Sequence, residues 1–268
     1  MLNVVSWNIN SVRKRIDQLA RLAEEYAPDV VLLQETKVGD DDFPHADIAA
    51  LGFSHRAIYG HGGYNGVAVL SRHPLADVVQ HVRRGKRDGR HLSARVMPEN
   101  AEPVVVHSLY VPAGGDEPDP KANPKFADKL AFLDDAADFM AAEHGFRDRA
   151  VLAGDLNIAP LPSDVWNHKL MSRRIGHTPH DIAAIERLRR SLNWIDAVRE
   201  VIPPEDPVFT WWSYRQTEFL VDSKGWRLDH IWVSPGLKDA IAGAEVLVNA
   251  RNWRPPSDHA PVMVRLKA

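Results

Sequence analysis

The chain has 268 residues, 44% hydrophobic and 26% charged, which suffices for a substantial core and predicts one globular domain over residues 1–268. It has no cysteine, so disulfides, zinc–thiolate centres and cysteine nucleophiles are excluded and a metal must be held by oxygen or imidazole. The formal charge of −3 argues mildly against indiscriminate nucleic-acid binding, the lack of an apolar run of bilayer length against a membrane partner, and a reducing cytoplasm is the expected setting.

Met1-Leu2-Asn3-Val4-Val5 runs straight into a strand-like stretch, without the basic leader and apolar core of a secretion signal. Arg13–Tyr26 carries Ile16, Leu19, Leu22, Ala23 and Tyr26 on one face and predicts an amphipathic helix stopped by Pro28. Short apolar runs at Val30–Leu33 and Val67–Leu70 predict buried strands. Arg83, Arg84, Lys86, Arg87 and Arg90 then crowd around Asp88, whereas Asp40–Asp42 and Asp116–Asp119 concentrate acid. The cationic window reads either as a local basic face or as a solvated loop that touches nothing. Val104–Val106 predicts another strand, and the Pro- and Gly-rich Tyr110–Pro124 a surface loop. A second helix is predicted over Lys125–His144, closed by Gly145, and a strand over Ala150–Ala153. Thr178-Pro179 predicts a third helix start, an N-cap followed by proline, with Asp181 completing an approximate capping box. Ile231–Val233 and Val262–Leu266 are the last predicted strands. The alternation predicts helices covering sheets, and no repeat or low-complexity linker interrupts it.

Polar residues with chemical potential lie at the ends of these strands. Asn8, Gln34-Glu35, Tyr110, and Asp155 with Asn157 each follow an apolar run, so packed sheets would bring them to one rim. Each motif is weak alone. Gly154-Asp155 is more often a turn, a lone His259 more often structural, Asp229 reads as a surface acid at a strand start, and Glu35 as a cap or loop acid.

Together, Asn8-Ile9-Asn10, Leu33-Gln34-Glu35-Thr36-Lys37, Tyr110-Val111-Pro112, Gly154-Asp155-Leu156-Asn157, Thr210-Trp211-Trp212-Ser213-Tyr214, Trp226-Arg227-Leu228-Asp229-His230 and Ser257-Asp258-His259-Ala260-Pro261-Val262 resemble, in order and over the whole length, the motifs of the exonuclease III group of apurinic/apyrimidinic endonucleases. The wider endonuclease/exonuclease/phosphatase superfamily shares the Glu, the Asp-x-Asn and the Ser-Asp-His; Gln-Glu-Thr-Lys with Thr-Trp-Trp-Ser-Tyr favours the repair branch. The resemblance implies an α/β fold of DNase-I-like type, a four-layer α/β sandwich in which two packed mixed β-sheets are flanked by helices. It implies Mg²⁺, with Mn²⁺ as substitute, held by Glu35 with Asp258 and Asn10, and with Asp155, Asn157 and His259 in the candidate ligand set. Asp155 and Asn157 would position the attacking water, with Asp155 as its base; Asn8 and Tyr110 would contact the phosphate, and His259, kept cationic by Asp229, would stabilise charge on phosphoryl oxygens. Trp211, Trp226 and Leu228 match the pocket for an extruded abasic sugar, with Trp212 beside them. Hard oxygen donors independently suit Mg²⁺, and phosphoryl transfer needs positioning and charge stabilisation rather than a covalent nucleophile.

Several positions depart from the family pattern. Ser11 stands where glycine is usual and Asn10 where some members have aspartate, while Ala113 and the following Gly-Gly-Asp lack the amide and arginine that relatives present to DNA. Within Asp164–Lys169, His168 and Lys169 read as DNA contacts or as solvated neighbours of a packed Trp166. The expected activity is cleavage 5′ to abasic sites leaving a 3′-hydroxyl, together with 3′-end trimming, by a monomer acting on double-stranded DNA in the cytoplasm at the nucleoid. The alternatives are a phosphatase of a small phosphorylated molecule and a DNA-binding module without catalysis.

Overall fold

The computed structural model describes residues 1–216, 219, 221 and 223–267. Its strands form two mixed six-stranded sheets. The first sheet contains β1 (Leu2–Asn8), β2 (Val30–Gln34), β3 (His55–Tyr59), β4 (Val67–Ser71), β11 (Ile241–Val246) and β12 (Val262–Leu266), in the order β11-β12-β1-β2-β4-β3. The second contains β5 (Leu75–Gln80), β6 (His91–Val96), β7 (Val104–Tyr110), β8 (Ala150–Asp155), β9 (Ile195–Asp196) and β10 (Asp229–Val233), in the order β5-β6-β7-β8-β10-β9. Helices α1 (Ile16–Tyr26) and α2 (His45–Ala50) cover the outer face of the first sheet, and α3 (Pro124–Glu143) and α5 (Pro179–Arg190) that of the second; α4 (His168–Met171) is one short turn. This is the four-layer α/β sandwich expected from the resemblance. Among the described residues no helix is long and apolar enough to cross a membrane.

Period-two alternation divides each central strand between two cores. On β1, Val4 enters the core between the sheets while Val5 and Trp7 enter the core under α1; on β2, Val30 and Leu32 face inward and Val31 and Leu33 outward. Burial on both faces is why these strands read as unbroken apolar runs. The inward series continues into polar residues toward one end: Ser6 and Asn8 after Val4, Ser108 and Tyr110 after Val106, Asp155 after Val151 and Ala153, and Asp229 two residues before Ile231. β1 runs parallel to β2, and β7 to β8, whereas β10 and β12 are antiparallel to their neighbours. The ends of the first four and the starts of the last two therefore meet on one rim.

The predicted helices hold, with shifted boundaries. Residue 27 adopts the left-handed conformation just before Pro28 and ends α1. The Thr178–Asp181 capping box is present in full. The predicted start at Arg13 is corrected, because α1 begins at Ile16 and Arg15 is a non-helical N-cap whose side chain crosses to the rim. The cationic window is neither a free basic face nor an idle loop. Arg83 is buried against His91, Arg84 and Lys86 pair with Asp128 on α3, and Arg90 lies 4.7 Å from the Tyr110 ring centre. β3, β5, β6 and β11 escaped prediction because exposed or polar residues interrupt their apolar pattern.

Candidate active site

The rim gathers Asn8, Asn10, Glu35, Tyr110, Asp155, Asn157, Asp229, Asp258 and His259. At its centre, Asn8 Nδ2 donates to Glu35 Oε1 (2.8 Å) and Asp155 Oδ2 (2.9 Å), tying one residue from each sheet to the end of β1. Tyr110 OH also donates to Glu35 Oε1, at 2.8 Å. Gly154 belongs to β8 rather than to a turn, since a Cβ there would lie 1.8 Å from the Leu109 carbonyl oxygen. Only glycine lets β8 approach β7 this closely and deliver Asp155 to the rim.

His259, just before β12, is held by Asp229 at 2.8 Å from Nδ1, and its Nε2 lies 3.7 Å from Asp155 Oδ2. Burial disfavours its charged form, but Asp229 and then Asp155 outweigh this and push its pKa up to about 10. Burial, opposed by the His259 cation, lifts Asp155 to about 7, close to what a general base needs near neutrality. Asp229 is itself oriented by Thr210, whose hydroxyl donates to Oδ2 at 2.6 Å. Burial would also raise Glu35 and Asp258. The Asn8 and Lys37 hydrogen bonds instead leave Glu35 lowered, and the His259 cation with the Trp211 and Asn10 hydrogen bonds leaves Asp258 lowered. Burial, then the Glu35 and Asp155 carboxylates, raises the Tyr110 hydroxyl well above the ordinary tyrosine range, so it remains a donor.

Two oxygen donors converge on one cationic point. Lys37 Nζ sits 2.8 Å from Glu35 Oε2 and 2.6 Å from Asn10 Oδ1, where a divalent cation would find oxygen ligands. Asn10 also donates to Asp258 Oδ1 (2.9 Å), so Glu35, Asn10 and Asp258 form one linked oxygen set. The set fits a hard, oxygen-seeking metal ion. Asp155 and Asp229 add carboxylates to the same rim, and without a further cation their charge would repel a phosphodiester.

Glu35, Lys37, Asn10, Ser11 and Asn157 all have positive φ, at +51°, +56°, +49°, +91° and +53°. Left-handed backbone at so many non-glycine residues is costly, and its concentration here is typical of a built site. Ser11 occupies a conformation that glycine would adopt without strain, and donates from its backbone N–H to the Glu35 carbonyl at 2.7 Å.

The aromatic expectations divide. Trp211 and Trp226 are half-buried on paired backbone segments, and Leu228 is buried. Trp211 Nε1 donates to Asp258 Oδ2 at 3.0 Å, a link to the oxygen set that its motif did not reveal. Trp212 is corrected: its side chain is buried against Phe219 and Ala260, with Nε1 donating to Ser223, so it packs a satellite core rather than lining a pocket, while its backbone N–H donates to the Asp258 carbonyl at 3.0 Å. In the variable segment Trp166 is half-buried, while His168 and Lys169 are exposed.

Lys37, Thr210 and Tyr214 stood inside quoted motifs without a role, and Arg15 in a predicted helix. Arg15 donates to Tyr214 OH (2.9 Å), the Pro256 carbonyl (2.7 Å) and the Asn10 carbonyl, bracing the turn that carries Asn10. Arg13, Lys14, Arg15 and Lys37 line a cavity of about 450 Å³ beside the oxygen set. The basic surface beside the oxygen set thus comes from the segment before α1 and from Lys37, while the cationic window contributes Arg90 next to Tyr110.

A second cluster, His81, His91, His107 and His144, lies under α3 on the outer face of the second sheet. Arg83 has only donors, so its 2.6 Å contact requires His91 Nδ1 to be an acceptor. His91 Nε2–H then donates to His107 Nδ1 (2.9 Å) and His107 Nε2–H to His144 Nε2 (2.8 Å). Burial keeps the His91 and His107 rings neutral. The lone pairs of His91 and His107 are used within this directed chain, and His81 Nε2 pairs with Ser93 Oγ at 2.8 Å.

Residues 5–259 match the endonuclease/exonuclease/phosphatase family. The chain is similar to exodeoxyribonuclease III of Haemophilus influenzae, 31% identical over 99% of this chain and 100% of the relative. It is similar to the structure of an AP endonuclease from Archaeoglobus fulgidus, with a TM-score of 0.91 and 28% identity over 100% of both chains. A 3′ phosphatase from Neisseria, bound to a product DNA hairpin, gives a TM-score of 0.86 and 30% identity over 100% of both chains.

Proposed function

This chain belongs to the endonuclease/exonuclease/phosphatase family, and on that premise we propose that it is a metal-dependent DNA repair phosphodiesterase. It hydrolyses the backbone 5′ to abasic sites, leaving a 3′-hydroxyl, and removes nucleotides and blocking groups from 3′ ends. It acts as a single-domain monomer on double-stranded DNA in the cytoplasm, at the nucleoid. The observation that carries this reading is the convergence of an oxygen set at Glu35, Asn10 and Asp258 with a near-neutral base, Asp155, and a buried imidazolium, His259.

Glu35, Asn10 and Asp258 would hold Mg²⁺, or Mn²⁺ in its place, with Asp155, Asn157 and His259 bordering the ion. When bound, the ion would neutralise phosphate charge and so admit substrate to an acidic rim. Asp155 Oδ1 accepts the Asn157 backbone N–H at 2.9 Å, which fixes the base beside the Asn157 carboxamide; the pair orients a water, and Asp155 takes its proton. His259 and the Tyr110 hydroxyl stabilise charge on the phosphoryl oxygens, and Asn8 keeps Glu35 and Asp155 at a fixed separation. Trp211, Trp226 and Leu228 receive a deoxyribose without its base, which flips out at lower cost than an intact nucleotide. Arg13 and Lys14 meet the neighbouring backbone phosphates.

The test is cleavage of a duplex with one abasic analogue, beside blunt, recessed and 3′-phosphate duplexes and soluble sugar phosphates, each with Mg²⁺ and with EDTA. The reading expects incision or 3′ trimming of DNA only with metal. Turnover confined to the sugar phosphates, or undiminished in EDTA, would sink it.

A further inference from the structure

Behind the rim, between α3 and the start of α5, Lys129 and Asp181 are both completely buried. Lys129 Nζ lies 2.7 Å from Asp181 Oδ1 and donates to the Asn157 carbonyl at 2.9 Å. The other Asp181 oxygen accepts from Gly176 N (2.9 Å), Thr178 N (3.1 Å) and Thr178 Oγ1 (2.6 Å), so the helix cap saturates it and Oδ1 remains for the lysine. Ala159 N donates to the Gly176 carbonyl at 2.8 Å, which closes a circuit from α3 through the Asn157 segment to α5 and back. The loop packs closely on the lysine stem: a Cβ at Gly114 would lie 3.0 Å from Lys129 Cδ, so the absence of a side chain there leaves the stem its place.

Stability alone gives a poor reason for this pair. Burying two charges costs desolvation that their attraction repays only in part, and well-packed apolar residues in their place are commonly neutral or stabilising. Apolar residues could not donate to the Asn157 carbonyl. That bond matters because Asn157 is held in the left-handed conformation, at φ +53°, with its N–H on Asp155 Oδ1 and its Nδ2 on the Val111 carbonyl (2.9 Å). The three bonds fix the residue completely, and one of them fixes the proposed base.

We propose that Lys129, held by Asp181, is a positioning residue for phosphodiester hydrolysis: through the Asn157 backbone it sets the Asp155–Asn157 pair without touching substrate. The inference rests on the nuclease reading for its kinetic consequence, while its geometric content stands apart from it.

Lys129→Met alone leaves a buried carboxylate unpaired and lowers the melting temperature, so the decisive protein is Lys129→Met/Asp181→Asn, which keeps a neutral cap acceptor. Its melting temperature is expected to recover most of that loss, while kcat on an abasic-analogue duplex stays about 10- to 100-fold down and KM changes by less than about 3-fold. Backbone amide shifts of Asp155 and Asn157 should move in the double variant. Full recovery of kcat along with stability, or unmoved amide shifts, would each overturn the proposal. An unsubstituted protein that cleaves no DNA would instead remove the nuclease reading, and the amide shifts would still decide the positioning.

Discussion

Asp229→Asn isolates what one buried charge contributes to catalysis. Asp229 Oδ2 and His259 Nδ1 are 2.8 Å apart. At an effective dielectric of about 20, charges this close attract by roughly 6 kcal/mol. The His259 pKa of about 10, against an ordinary 6.5, corresponds to a net preference for the cation on the order of 5 kcal/mol after burial has opposed it. Loss of the larger quantity outweighs the net preference, so His259 in the variant gives up its proton in the neutral range even with Asp155 nearby. The substituted amide keeps the shape of the site and the Thr210 contact. In the unsubstituted protein the cation persists until pH rises through about 10, so its contribution to rate should hold across the neutral range and fade only toward that value. In Asp229→Asn, kcat/KM should fall about 100- to 1000-fold near neutrality, and the alkaline limb of its pH profile should move down from about 10 toward the neutral range. The assay is abasic-duplex cleavage at saturating Mg²⁺ from about pH 6 to pH 10, with melting temperatures alongside. His259→Ala combined with Asp229→Asn should be little worse than His259→Ala. Fully multiplicative losses, or a pH profile unchanged in Asp229→Asn, would refute the coupling.

Glu35→Ala removes an oxygen donor at the rim and should raise the Mg²⁺ concentration needed for activity while leaving the fold intact, which a metal titration and circular dichroism would check. Ser11→Gly should relieve the strain of φ +91° and raise stability by about 0.5–1 kcal/mol, or roughly 1–4 °C in melting temperature, and a loss of stability would contradict this. Trp211→Phe removes the hydrogen bond to Asp258 with part of the ring and should alter the metal requirement, whereas Trp211→Ala removes the whole ring and should change the ratio of abasic to base-containing cleavage more. An unaltered ratio in Trp211→Ala, together with a large loss of stability, would assign the ring to the core.

The sequence by itself determined the alternation of buried strands and amphipathic helices, the Thr178–Asp181 cap, and the ordered motifs that bring the polar ends of β1, β7 and β8 to one rim. These follow from local periodicity and from the parity of strand residues, which carries Asn8, Tyr110, Asp155 and Asp229 onto the same face as the core residues beside them. Tertiary structure decided what each polar side chain meets. Lys37 on Glu35 and Asn10, Arg15 standing before α1 and reaching Tyr214, Trp212 turning into a satellite core, and the cationic window dispersing onto α3 and Tyr110 all depend on the folded chain. The Lys129–Asn157 contact is of the same kind, since a lysine on an amphipathic helix reads as solvated until the packing of α3 against α5 leaves it nowhere but the interior. Hydrophobic periodicity specifies which face of an element is buried; the electrostatics of a site depend on how several such faces meet, and only the folded chain fixes those distances.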